Sequence, residues 1–238
     1  MTPPSPASAR CPGRARLAVL GVSGAVIIVG LMVGLWGWAD WKGFFHHPAR
    51  ALLIAMLVGR FLHTAFFAHP SAVSRGRPET RVPEPVFFPL IYLFCLLALA
   101  SPYFDRREQW ILPGGDLVRY PGLILAALGL GLATWGQAHL GRFFSGSITL
   151  QEDHRLVTDG PFRFVRHPRY AGLILVFLGM PLVFRSVAGL VAGGVCALLF
   201  LRRIPREEAL LASAFPEEWP AYARRTGRLL PRAGWRNG

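Results

Sequence analysis

Two short stretches hold most of the residues in this chain that could do chemistry. The first, His154 to Gly172 (HRLVTDGPFRFVRHPRYAG), packs two histidines, four arginines, two prolines and two glycines into nineteen residues. Gly160-Pro161 reads as a tight turn. Pro168 pushes His167 out of the helical region, so the backbone between them is irregular and its N–H and C=O groups need partners. The plainer reading is a surface loop whose arginines reach lipid phosphates. The second stretch, Arg202 to Pro231, sets Arg203 and Glu207 four residues apart on one helical face, followed by Glu208, Trp219 and Tyr222. Alone, that spacing describes an exposed ion pair of about 0.3–0.5 kcal/mol. His46, His47, His63, His69 and His139 lie on or beside apolar stretches without ligand spacing, so no metal site is expected. Cys11, Cys95 and Cys196 form neither a disulfide framework nor a zinc motif.

A set of apolar helices must position these stretches. Measured against the roughly 20 residues needed to cross a bilayer, residues 17–39, 51–68, 85–104 and 120–138 read as four transmembrane helices. The fourth carries Gly122, Gly129, Gly131 and Gly136, which suits close helix packing. Arg10, Arg14 and Arg16 precede the first span as in a signal peptide, but the apolar run is too long and no small-x-small cleavage site follows, so the helix is expected to be retained. Residues 1–16 are expected to be disordered, and His69 to Pro85 to be an extended connection facing lipid headgroups. The apolar region 170–201 could be one tilted helix or a hairpin of two arms, each about fifteen residues, turned at Arg185-Ser186. The positive-inside rule decides. With a cytoplasmic N-terminus, the inside segments 1–16, 69–86 and 139–169 carry three, three and five arginines, and only a hairpin returns the eight arginines from Arg202 to Arg236 to the same side. The expected fold is all-α: a polytopic integral membrane protein with four transmembrane helices (17–138) and a C-terminal helical hairpin. Both termini are cytoplasmic, and residues 139–238 form a cytoplasm-facing pocket.

Composition agrees. Of 238 residues, 53% are apolar and only 16% charged, against roughly 25% in soluble domains, and mean hydropathy is +0.38. A simple water-soluble enzyme is excluded. The 26 Lys+Arg against 13 Asp+Glu give a net charge of +13. That excess alone would suit nucleic acid, but with this apolar content it points to the bilayer and to no nucleic-acid partner. Lys42 is the single lysine, a bias of GC-rich genomes, so a bacterial inner membrane is expected.

The order H-x-L-V-T-x-G-P-[YF]-x-[YF]-x-R-H-P-x-Y-x-G, an apolar hairpin, then R-x-x-x-E-E and E-[YW]-x-x-Y…P resembles the isoprenylcysteine carboxyl methyltransferase family, which is related to the phospholipid N-methyltransferases. The resemblance covers about residues 135–231. The combination is specific, whereas R-H-P-x-Y alone is shared with membrane sterol reductases. The resemblance implies that S-adenosylmethionine binds in a cytoplasm-facing pocket between the two stretches, while a lipid-open tunnel admits a lipophilic small molecule or lipid. By this likeness His154, Arg155, Leu156, Val157, Phe162, His167, Pro168, Arg169 and Tyr170 would bind the cofactor with Glu207, and Arg203 would face the substrate. Arg203 and Glu207 would then be the catalytic pair. Phe162 and Trp219 stand where the family often has tyrosine. No GxGxxG follows a strand.

Physical chemistry fits these residue types to that cofactor. Its carboxylate needs basic or backbone donors and its ammonium an acid such as Glu207. Its adenine needs flat apolar walls, which Leu156, Val157, Phe162 and Tyr170 can supply. Methyl transfer is an in-line displacement, so catalysis is mostly alignment. Arg203 could grip a carboxylate acceptor with its planar fork, whereas an amine or thiol acceptor would call for a general base. Two other classes compete. An NADPH-dependent sterol-type reductase usually has Asn after His-Pro and an acid after Tyr-x-Gly, positions held here by Arg169 and Leu173. A non-catalytic membrane scaffold is disfavoured by the intact His167, Tyr170, Arg203 and Glu207.

Overall fold

The computed structural model describes residues 14–67, 80–151 and 153–232. Among these, the regular elements are helices, with only two isolated backbone bridges between extended residues. They are α1 (Arg14–Trp36), α2 (Trp41–His46), α3 (Pro48–Phe67), α4 (Phe87–Leu99), α5 (Ser101–Arg106), α6 (Asp116–Leu140), α7 (Pro168–Val183), α8 (Val187–Ala214) and α9 (Glu218–Arg225). α1 begins at Arg14, so residues 14–16 are helical rather than disordered. The expectations for residues 1–13 and for most of His69–Pro85 fall outside the described residues.

Among the described residues, five helical stretches are long and apolar enough to span a bilayer: Ala18–Trp36, Pro48–Phe67, Phe87–Arg106, Asp116–Phe143 and Val187–Ala214. Their outer faces leave Val19, Ile27, Leu52, Phe66, Leu96, Leu128 and Leu198 exposed. Water would penalise such a surface, and lipid does not. Trp38, Trp41 and Trp110 are exposed near one end, as in the aromatic belts of membrane interfaces. The chain reverses at Arg185, whose φ of 51 is left-handed, and Ser186 caps α8 by accepting from the Gly189 N–H at 3.0 Å. The two arms are unequal. α7 has 16 residues, but α8 has 28 and continues past Leu201, because Arg, Glu, Ala and Leu are all good helix formers and a change of polarity does not end a helix.

α6 and α7 make the most extensive helix pairing, along a seam of small residues. Gly122, Gly129 and Gly136 recur every seventh residue on α6, facing Gly179, Gly172 and Pro168 on α7. A seven-residue period keeps one face against the partner over several turns, and glycine lets the backbones touch. A Cβ on Gly172 would lie 2.4 Å from the Gly129 carbonyl oxygen and 2.5 Å from the Ala133 nitrogen, whereas one on Gly131 would meet nothing within 4 Å. Gly131 is therefore not part of the seam. Gly172→Val is expected to cost about 2–3 kcal/mol through overpacking against rigid backbone, lowering the thermal midpoint in detergent, while Gly131→Ala leaves it unchanged. Equal midpoints for the two variants would refute the seam.

The opposite end of α6 is tied by charge. Asp105 on α5, with a side chain 1% exposed, receives three arginines. Arg119 on α6 is bidentate at 2.8 and 2.9 Å. Arg50 on α3 donates at 3.1 Å and Arg185 from the α7–α8 turn at 3.2 Å. Arg50 also bonds the Phe44 and Gly43 carbonyls, and Arg119 the Val183 carbonyl, so one carboxylate joins four elements. Cys95 on α4 and Cys196 on α8 are free thiols that pack in one apolar cluster.

Candidate functional site

The irregular backbone of the first motif finds its partners in the C-terminal segment. Val165 bridges Gly227, and the Arg166 and His167 N–H groups donate to the Gly227 and Arg228 carbonyls at 2.8 and 2.9 Å. Gly160 sits at φ 55 with the His139 ring 2.1 Å from where a Cβ would be, which only glycine tolerates. It opens a single 3-10 turn over Gly160–Arg163. Tyr222 on α9 clamps this turn by donating its hydroxyl to the Phe162 carbonyl at 2.9 Å. Burial pushes the Tyr222 hydroxyl above its ordinary range, so it remains a donor. The closing E-W-x-x-Y motif thus holds the first motif in place.

α7 starts at Pro168 and α8 brings its last turns alongside. The His167 and Tyr170 rings stack at 5.5 Å with planes 3° apart. The Tyr170 hydroxyl donates to Glu207 Oε2 at 2.5 Å. Glu208 gathers His167 Nε2 at 3.3 Å, Arg166 Nε at 2.8 Å and Arg228 Nε at 3.0 Å. Above them opens a cleft of about 100 Å³ that is partly open to its surroundings.

His154, Leu156, Val157, Phe162, His167, Tyr170 and Glu207 line this cleft. Three of the residues expected there do not. Arg155 is exposed, with its guanidinium over the Phe143 ring at 5.8 Å, Pro168 is buried against Gly136, and Arg169 lies over the Phe144 ring at 4.8 Å. Each sits beside a cleft-lining neighbour along irregular or newly helical backbone, so a contiguous motif cannot put every member on one wall. The wall also includes residues outside that expectation: Phe143, Ser145 and Ser147 from the loop after α6, Arg166, and Trp219 with Tyr222 from α9. The last two were visible as a motif, and the loop after α6 carried no signal.

Arg203 is the largest departure. Its i,i+4 spacing suggested Glu207, yet its guanidinium is buried and faces Glu84, just before α4, with Nε 2.9 Å from Oε1 and Nη2 donating to Oε2 at 3.0 Å. Nη2 also donates to the Gly146 carbonyl at 2.6 Å. Phe87, Phe88 and Tyr170 surround the group at 4.6, 5.7 and 5.8 Å. Glu84 lines a second hollow with Arg81, Pro85, Phe88 and Ser147, and Ser147 lines both spaces. Among the described residues, no group of three or more His, Cys, Asp or Glu side chains is arranged to hold a metal ion.

Comparison with known proteins places this architecture. A model of the isoprenylcysteine carboxyl methyltransferase family matches residues 122–213, which run from the α6 seam through the hairpin to Glu207 and Glu208. The chain is 38% identical to the cobalt-zinc-cadmium resistance protein CzcN of Cupriavidus metallidurans over 69% of this chain and 72% of that protein. It is 33% identical to the protein-S-isoprenylcysteine O-methyltransferase of Schizosaccharomyces pombe over 81% of this chain and 72% of that one. A solved structure of the eukaryotic intramembrane Ras methyltransferase shares the fold, with a TM-score of 0.53 at 18% identity over 92% of this chain and 97% of that one. The motif order, the helical membrane fold and these relatives together establish that the chain belongs to the isoprenylcysteine carboxyl methyltransferase family of integral membrane methyltransferases.

Proposed function

We propose that the protein transfers a methyl group from S-adenosylmethionine to a lipophilic acceptor at the cytoplasmic surface of a bacterial inner membrane, with both termini in the cytoplasm. The observation that carries this reading is the cleft. Apolar Leu156, Val157, Phe162 and Trp219 share its wall with Arg166, His167, Tyr170 and Glu207, the mixed chemistry that a flat base and a zwitterionic tail require. When bound, S-adenosylmethionine supplies an activated methyl group. The chain's own work is to bind, orient and keep water out. Arg166 and His167 would face the donor's carboxylate and Glu207 its ammonium, while Glu208 fixes Arg166 and His167 from behind. The metal resistance in the name of CzcN is a property of that protein and names no acceptor here.

Calorimetric titration of the detergent-solubilised protein with S-adenosylmethionine tests the assignment. Glu207→Gln and His167→Ala should each weaken binding at least about tenfold, or 1.4 kcal/mol, because each removes a charge-assisted contact. Unchanged affinity in both variants would reject this cleft as the donor site. A wild-type protein that binds NADPH but not S-adenosylmethionine would move the reading to a reductase.

A further inference from the structure

Two arginines near the cleft end of the bundle differ from the rest in their partners. Among the described side chains, the buried and half-buried Arg50, Arg119, Arg166, Arg185 and Arg203 each pair with Asp105, Glu208 or Glu84. The half-buried Arg60 and Arg169 pair with no described carboxylate. Arg60 lies inside the apolar span Pro48–Phe67, where an ionisable group is costly and points to a bound partner. Its guanidinium donates to the Thr64 hydroxyl one turn on and to the Gln137 side-chain carbonyl on α6. Both acceptors are neutral. Next to Gln137, Gly136 brings α6 against the start of α7, where a Cβ would lie 3.2 Å from the Arg169 nitrogen. Arg169 thus enters the same corner, close enough for its charge to repel that of Arg60. Its guanidinium covers the Phe144 ring at 4.8 Å, an arrangement that uses the planar face and presents the N–H edge. Glu207, whose charge reaches Arg169, accepts from Tyr170, and Glu84 is held by Arg203.

Like charges brought together in a low-dielectric layer are unfavourable by themselves, so the corner favours an anion. We propose that Arg60 and Arg169 together grip the phosphate of an anionic phospholipid from the leaflet at the cleft end of the bundle. Guanidinium forks match phosphate oxygens, and basic pockets between transmembrane helices suit anionic headgroups. The placement favours a resident lipid over the methyl acceptor. α3 packs on α1 and α6, whereas the hollow beside Phe88 and Ser147 opens at α4, which packs on α8, with α6 and α7 paired between the two flanks. A phosphate held here links α3 to α7 through its oxygens and steadies the helix ends without entering the cleft. The assignment does not rest on methyl transfer.

The purified full chain in neutral detergent is titrated with a phosphatidylglycerol, a phosphatidylethanolamine of the same acyl chains and glycerophosphate, and the first bound molecule is followed by native mass spectrometry. The wild type should bind the phosphatidylglycerol at least about tenfold more tightly than the other two. Arg60→Gln and Arg169→Gln should each weaken that binding about tenfold, the loss of one charge-assisted contact. Arg202→Gln, an exposed arginine on α8, should change it less than about twofold, because water and salt screen it. Phosphatidylglycerol should also raise the thermal midpoint of the wild type more than that of Arg169→Gln. If Arg60→Gln fails to fold, Arg169→Gln carries the test, since its side chain is held by a ring contact alone. Equal affinity for the two lipids, or equal losses in Arg202→Gln and Arg169→Gln, overturns the site. Glycerophosphate binding as tightly as the lipid would make it a site for free phosphate, and displacement by dodecanoate at equal or higher affinity would make it a carboxylate site; either result overturns the lipid assignment.

Discussion

Asp105→Ala is expected to destabilise the protein by about 3–5 kcal/mol, because it leaves buried guanidinium groups without their counter-charge. Arg50 and Arg119 are 9% and 8% exposed in their side chains and would be stranded among apolar neighbours. Arg185 is 16% exposed, lies on a turn, and donates through one atom only, so Arg185→Gln should cost less than about 1 kcal/mol. Thermal unfolding in detergent, followed by the loss of helical circular dichroism, separates the two. Should Asp105→Ala and Arg185→Gln shift the midpoint equally, the four-element junction is not a unit. Since α3, α5, α6 and the α7–α8 turn all meet at this carboxylate, the loss should appear as one cooperative transition at lower temperature rather than as local fraying.

Arg203→Lys is expected to lower turnover by about ten- to a hundredfold, or 1.4–2.7 kcal/mol, with S-adenosylmethionine affinity largely retained. An exposed pair with Glu207 would survive the exchange, because lysine can keep it. The buried contact would not. Nη2 binds both Glu84 and the Gly146 carbonyl while Nε faces the other Glu84 oxygen, and a single ammonium on a flexible stem cannot reproduce that fork. Arg203→Ala should be worse in a different way, leaving the Glu84 carboxylate buried and uncompensated and the protein less stable. A radiolabelled methyl-transfer assay run beside donor titration checks both. Wild-type turnover in Arg203→Lys would show that orientation by the fork is unimportant.

These two predictions fall where the sequence is hardest to read, for a common reason. Local patterns carry local structure. The apolar runs show the spans, and the His167-Pro168 step marks the start of α7 from its proline chemistry. The glycines of α6 announce close packing, and the cleft residues from His154 to Tyr170 lie within one motif. Asp105 meets Arg50 across 55 positions and Arg185 across 80, and Glu84 meets Arg203 across 119. Nothing in spacing can report such pairs. Worse, Arg203 and Glu207 at i,i+4 offer a plausible local pairing that tertiary burial overrides. α8 runs on through the end of the apolar stretch at Leu201 to Ala214, since a change of polarity does not end a helix. Arg155, Pro168 and Arg169 are absent from the cleft because residues adjacent in a motif point in different directions once the backbone turns.

The glycine seam between α6 and α7 also bears on traffic. Where two backbones touch along their length, no gap exists between them and no side-chain rotation can make one, so this flank of the molecule is closed to any molecule arriving sideways from the lipid. The flank beside the start of α4 is built differently. Its walls are the rings of Phe87 and Phe88, with Val86 outermost and 63% exposed. Side chains rearrange more readily than packed backbones part, so a passage there would require no separation of helices. A greasy guest is in this way kept from the α6–α7 flank, and the wall along that seam stays still.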